Sequence, residues 1–87
     1  MNRLDKMRSL LTHLNPVQLE IEDDSHLHAG HAGARDGGGH YRINITSSEF
    51  SGRSTVARHR MVYSCLREMM THEIHALNIT ASSPESR

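Results

Sequence analysis

Eight of the 87 residues are histidine, and these are the side chains most able to do chemistry. A neutral imidazole ligates zinc, copper, nickel or iron, and it changes charge near physiological pH. His26, His28 and His31 fall in a stretch from Ser25 to Gly39 that also carries five glycines. A glycine-rich segment can deliver an imidazole to a ligand, so the stretch reads as a ligand-holding loop. It reads equally as a polar loop in which the histidines are incidental, and gaps of two and three residues do not choose between the two. A closed zinc site shows four ligands, commonly paired cysteines. Cys65 is the only cysteine, so a metal site here is incomplete and points to ligands from a partner.

Other motifs carry less. His72-Glu73-Ile74-His75 approaches the H-E-x-x-H pattern, but Ala76 stands where the second histidine belongs. The segment also enters a strand, where residues three apart face opposite ways, so a metalloprotease reading is rejected. Gly30-His31-Ala32-Gly33 is a literal G-x-x-G. The nucleotide-clamping version of that loop belongs to KH domains and joins two helices, whereas this one lies between two strands. Arg53, Arg58, His59, Arg60 and Arg67 form a basic set around the main helix; Arg58, His59 and Arg60 are the candidates for a phosphate or an acidic partner surface. Cys65 lies on an apolar helix face, as an inert thiol does. Nothing resembles a nucleophile elbow, a P-loop or a dinucleotide fingerprint, and the chain is expected not to be an enzyme.

The elements that must position these residues follow from hydrophobic spacing. Leu4, Met7, Leu11 and Leu14, widened by Leu10, predict an amphipathic helix that ends near Asn15-Pro16. Val17, Leu19 and Ile21 alternate with polar residues, as do Tyr41, Ile43 and Ile45, which predicts two half-buried strands. Ser54 is a candidate N-cap. Beyond it, Val56, Met61, Val62, Cys65, Leu66 and Met69 mark a helical region to about Met70, either one helix or a short and a longer one broken near Ala57–Arg58. A last strand is expected over Ile74 to Ala81, with His75, Leu77, Ile79 and Ala81 on one face. Residues 82–87 are polar and expected to fray. The class is α+β: one domain over residues 1–87, its three-stranded sheet covered by helices on one face.

Composition limits the function. Formal charge is zero with histidines neutral, which argues against strong non-specific attraction to nucleic acid or to an anionic membrane. Aromatics are scarce, namely Phe50, Tyr41 and Tyr63 without tryptophan, so the core must be aliphatic and base stacking has little to work with. No apolar run approaches the roughly 20 residues of a membrane span, and the N-terminus shows no secretory h-region. A soluble, cytoplasmic protein, monomeric when free, is expected.

Three stretches together resemble the BolA family. They are Asp23-Asp24-Ser25-His26-Leu27-His28 followed by Gly38-Gly39-His40-Tyr41-Arg42-Ile43; Phe50-Ser51-Gly52 followed by Val56-Ala57-Arg58-His59-Arg60-Met61-Val62-Tyr63; and Ile74-His75-Ala76-Leu77. The resemblance covers nearly the whole chain, to about Pro84. It implies a KH-like fold of the second class in the order αββααβ. It also implies pairing with a monothiol glutaredoxin and a [2Fe–2S] cluster shared with that partner and its glutathione, in cluster trafficking or in iron and redox sensing. By position it implies His28 and His75 as cluster ligands, His40 as a secondary candidate, and Arg58, His59 and Arg60 as partner surface, with His59 in a structural or interface role rather than as a ligand. The alternative it carries is a DNA-binding transcriptional regulator that uses the helical region as a helix-turn-helix.

Overall fold

The computed structural model describes residues 2–25 and 38–86. Helix α1 spans Arg3–Leu11. Asn2 caps it by accepting the Asp5 N–H at 2.8 Å, and a single 3-10 turn, Thr12–Leu14, extends it. The chain then stops turning because Asn15 takes the left-handed conformation (φ 48°), a role asparagine fills at low cost, and Pro16 follows. Met7, Leu11 and Leu14 are buried, which is the helix face that the spacing marks.

Strands β1 (Gln18–Asp23), β2 (Gly39–Thr46) and β3 (Ile74–Ser82) form one sheet in the order β1-β2-β3. β1 pairs antiparallel with β2, and β2 pairs parallel with β3. A parallel neighbour needs a crossover, and helix α2 (Thr55–Cys65) supplies it. Gly52 (φ 75°) makes the turn before α2, and Ser54 caps the helix by accepting the Ala57 N–H at 3.1 Å.

One sheet face meets both helices. Tyr41, Ile43, Ile45, Phe50, Val62, Leu66, Met69 and Ile74 close the core with the α1 residues, and Leu19, Ile21, Leu77, Ile79 and Ala81 pack at its margin. The other face is polar, with Glu20, Glu22, Arg42, Asn44, Asn78 and Thr80 exposed.

Four expectations change. The helical region is one α-helix. The Arg58 N–H reaches Ser54 O at 3.0 Å, straight across the suspected break, and the remaining helical residues are a 3-10 turn, Arg67–Met69. Val17 precedes β1 and is exposed, and Val56 is exposed on α2. The tail is held at its start: Ser82 pairs with Thr46 in the sheet, Ser83 is buried, and Pro84–Ser86 forms a 3-10 turn. His75 does not share the face of Leu77, Ile79 and Ala81, for the reason given next.

Candidate functional site

The pairing of β2 with β3 is interrupted at its start. Gly39 pairs with Ile74, yet the next residue, His40, pairs with Ala76. His75 is therefore the extra residue of a β-bulge. Such a bulge shifts the alternation and re-aims a side chain. It explains why Ile74 and Leu77, three apart, both serve the core, which an unbroken strand forbids. It also explains why His75 is left exposed.

The bulge puts two imidazoles side by side. The ring centroids of His40 and His75 lie 5.1 Å apart at an interplanar angle of 46°. A groove of about 410 Å³ beside His75 is lined by Gly38, Met70, Thr71, His72 and Ile74. A smaller one of about 210 Å³ beside His40 is lined by Asp24, Tyr41, Ala76, Leu77 and Asn78. The two grooves thus flank the pair.

Backbone and charged groups fix both strand starts. The His40 N–H donates to Ser25 Oγ at 3.1 Å, the Asp24 N–H donates to His40 O at 2.8 Å, and the Ser25 N–H donates to Asp23 Oδ1 at 2.9 Å. On the β3 side the Gly39 N–H donates to Glu73 O at 3.1 Å. The Glu73 carboxylate holds Lys6 Nζ of α1 at 3.2 Å. Arg42 lies next along the polar face, paired with Glu22 at 2.7 Å and Asp24 at 3.2 Å. The hydrogen bond from Asp24 and the two carboxylate charges push the guanidinium pKa further up, so this cation is already matched by carboxylates of its own sheet face.

His28, like His26 and His31, lies outside the described residues. Among the described residues no group of three or more His, Cys, Asp or Glu side chains gathers as a metal site. Two neighbouring imidazoles are nevertheless the donor set that Rieske-type [2Fe–2S] centres place on one iron. The described residues thus include two side chains of the donor type that such a cluster takes.

The basic residues lie apart from the pair. Arg58 is half-buried, and its guanidinium lies along its own chain, with Nε donating to Arg53 O at 3.0 Å and Nη1 to Ala81 O at 3.2 Å. Ala81 is six residues along β3 from His75, about 20 Å of strand. His59 is half-buried and Arg60 exposed. The region expected to resemble a helix-turn-helix holds a single α-helix between 3-10 turns. Cys65 is half-buried against the core, and burial pushes its thiol pKa up, in keeping with an inert thiol. The bulge is what sequence reasoning misses. Its one sequence trace is the Gly38-Gly39 pair just ahead of His40.

Fold and site together define a small α+β domain that offers imidazoles at the open end of a mixed sheet. A family model described as BolA-like protein matches residues 10–86, and the chain belongs to that family. It is 45% identical over 87 residues to "Protein BOLA1, chloroplastic" of Arabidopsis thaliana, covering 95% of this chain and 54% of that protein. It is 45% identical over 76 residues to "SufE-like protein 1, chloroplastic/mitochondrial" of the same plant, covering 82% of this chain and 20% of that protein. The chain therefore spans about half of one curated relative and a fifth of the other. A Haemophilus influenzae relative named "DNA-binding transcriptional regulator BolA" is 37% identical over 70 residues, covering 80% of this chain and 65% of that protein. Among solved structures, BolA1 from Arabidopsis thaliana superposes with a TM-score of 0.85 at 42% identity, covering 100% of this chain and 97% of that one. The BolA domain of SufE1 from the same plant gives 0.87 at 38% identity, with 100% and 98% covered.

Proposed function

We propose that this chain is a non-enzymatic iron–sulfur adaptor that binds a monothiol glutaredoxin and shares a [2Fe–2S] cluster with it, in cluster trafficking or in iron and redox sensing. The observation that supports this most is the His40–His75 pair, two imidazoles with centroids 5.1 Å apart at a bulge, one of them exposed. A bound cluster supplies one-electron chemistry and an iron–sulfur unit that can be passed on. The chain's own part is to present neutral imidazoles and to hold them still. His75 is the ligand common to both versions of the site, with His28 or His40 as its co-ligand. Cysteine and glutathione thiolates of the partner complete the set. Arg60 and His59 contribute to the partner surface, and Arg58 contributes by fixing α2 against β3.

The test is to mix the chain with a cluster-loaded monothiol glutaredoxin, then follow gel filtration and visible circular dichroism. Co-elution with new visible bands is expected. His75→Ala should weaken those bands at least tenfold. Comparing His28→Ala with His40→Ala identifies the co-ligand, and His31→Ala should change little. No complex together with unchanged spectra contradicts the proposal. The alternative, DNA binding, has the name of the Haemophilus relative in its favour, but here Arg58 is occupied by two carbonyls of its own chain. A flat titration with duplex DNA at low salt, where phosphate contacts are strongest, supports the adaptor reading. Tight DNA binding without any glutaredoxin complex would replace it.

A further inference from the structure

We propose that Gly38 is the positioning residue of the histidine pair, and that the missing side chain at this position sets where the His75 imidazole stands. The proposal rests on the reading of that pair as cluster ligands for its consequence, though its geometry stands alone. A Cβ placed on Gly38 would lie 3.0 Å from His75 Cβ, 3.1 Å from His75 N and 3.4 Å from its Cα. These obstacles are backbone and the root of a side chain, which cannot swing aside as a flexible tip can. Gly38 does not lie in the left-handed region, so what demands glycine here is the close approach, and alanine is compatible with the local backbone.

The neighbours decide where the displacement goes. Ile74 is anchored in the core. Glu73 is tied through its N–H to Met69 O at 3.0 Å and through its carbonyl to the Gly39 N–H at 3.1 Å. Its carboxylate holds Lys6. Beyond the bulge, Ala76 is paired with His40. His75 is the residue between two fixed points that has no partner in the strand register, and it absorbs the shift. Gly39 acts differently: a Cβ there would meet the Tyr41 ring at 2.6–2.7 Å, so its smallness serves the packing of a core ring.

The experiment compares Gly38→Ala, Gly39→Ala and Gly52→Ala in the full chain by NMR. Gly52→Ala strains a left-handed turn but meets nothing within 4 Å, so it reports what destabilisation alone does. In Gly38→Ala the nuclear Overhauser effect between the His40 and His75 rings should fall at least twofold and the His75 ring resonances should move, while the Ile43 and Val62 amides stay in place. Gly52→Ala should keep the ring contact. An unchanged ring contact in Gly38→Ala overturns the proposal, as does an equal loss in Gly52→Ala. Failure of Gly38→Ala to fold while Gly39→Ala folds overturns it too, because Gly38 then serves the sheet as a whole. In the glutaredoxin mixture Gly38→Ala should shift or halve the visible dichroism bands; lost ring contact with unaltered bands would detach Gly38 from the cluster. The ring measurement uses the free chain, so a missing glutaredoxin complex would defeat the proposed function and leave Gly38 to be judged on its own.

Discussion

An imidazole nitrogen ligates a metal only when it carries no proton, so on the proposed reading protons would compete with the cluster for its histidine ligands. Histidine side chains as a class change charge between pH 5 and 8, and metal release on acidification follows from that competition. The cluster signal of the mixed complex is expected to fade as pH is lowered from about 8 to about 5.5 and to return if the pH is raised promptly, read by visible dichroism; a signal unchanged over that range would argue for thiolate ligation alone. Cys65 gives the opposite case. Burial raises its thiol pKa, and the thiolate is the reactive form. Alkylation at pH 7.5 should run about tenfold slower or more in the folded chain than in urea, monitored by mass spectrometry. Equal rates would mean that the thiol stands open.

At the scale of elements, the strands and first helix were legible because their apolar residues repeat with the periods of two and 3.6 that burial imposes. Tyr41, Ile43 and Ile45 show it directly. What the period could not show is the place where it breaks. The bulge at His75 adds one residue to β3, and no composition or spacing rule marks that residue. A strand drawn with unbroken alternation therefore put His75 on the face of Leu77. The neighbourhood of His40 and His75 was not legible for the same reason, since the two rings meet through register alone. The contacts of Arg58 were hidden in a related way: an arginine on a helix usually faces water, and only the fold shows that this one meets Ala81 O. Arg58→Ala should cost about 1 kcal/mol, since hydrogen bonds net 0.5–1.5 kcal/mol and more when charged, less when partly exposed, and should lower the melting temperature by several degrees. Phe50, fully buried beneath the sheet, should cost about 3–5 kcal/mol as Phe50→Ala, read by urea unfolding.

For the molecule as a whole, the pattern is one sheet face for cohesion and one sheet end that gathers imidazoles. Both helices cover the inner sheet face, and the start of β2 and the bulge in β3 present the imidazoles at the opposite end of β3 from the tail. The tail has its own pH dependence. The Ser51 hydroxyl hydrogen-bonds the Glu85 carboxylate and, with smaller help from the backbone, Ser83 and Arg58, holds its pKa below the usual range. A carboxyl depressed in the folded state contributes stability above its unfolded pKa of about 4.3, and loses it as pH falls through the lower folded value. The Ser51 and Glu85 amide resonances should therefore move together below about pH 4, and Glu85→Gln should abolish that movement without disturbing the Thr46–Ser82 pairing.

The measurement that bears most directly on the central claim is pulsed electron paramagnetic resonance of the reduced complex, prepared with the chain labelled with ¹⁵N only at histidine and with an unlabelled glutaredoxin. Strong ¹⁵N couplings, of which one set is lost in His75→Ala while that of the co-ligand persists in any cluster that remains, are the predicted result. A paramagnetic cluster that shows no histidine nitrogen coupling from this chain would contradict it.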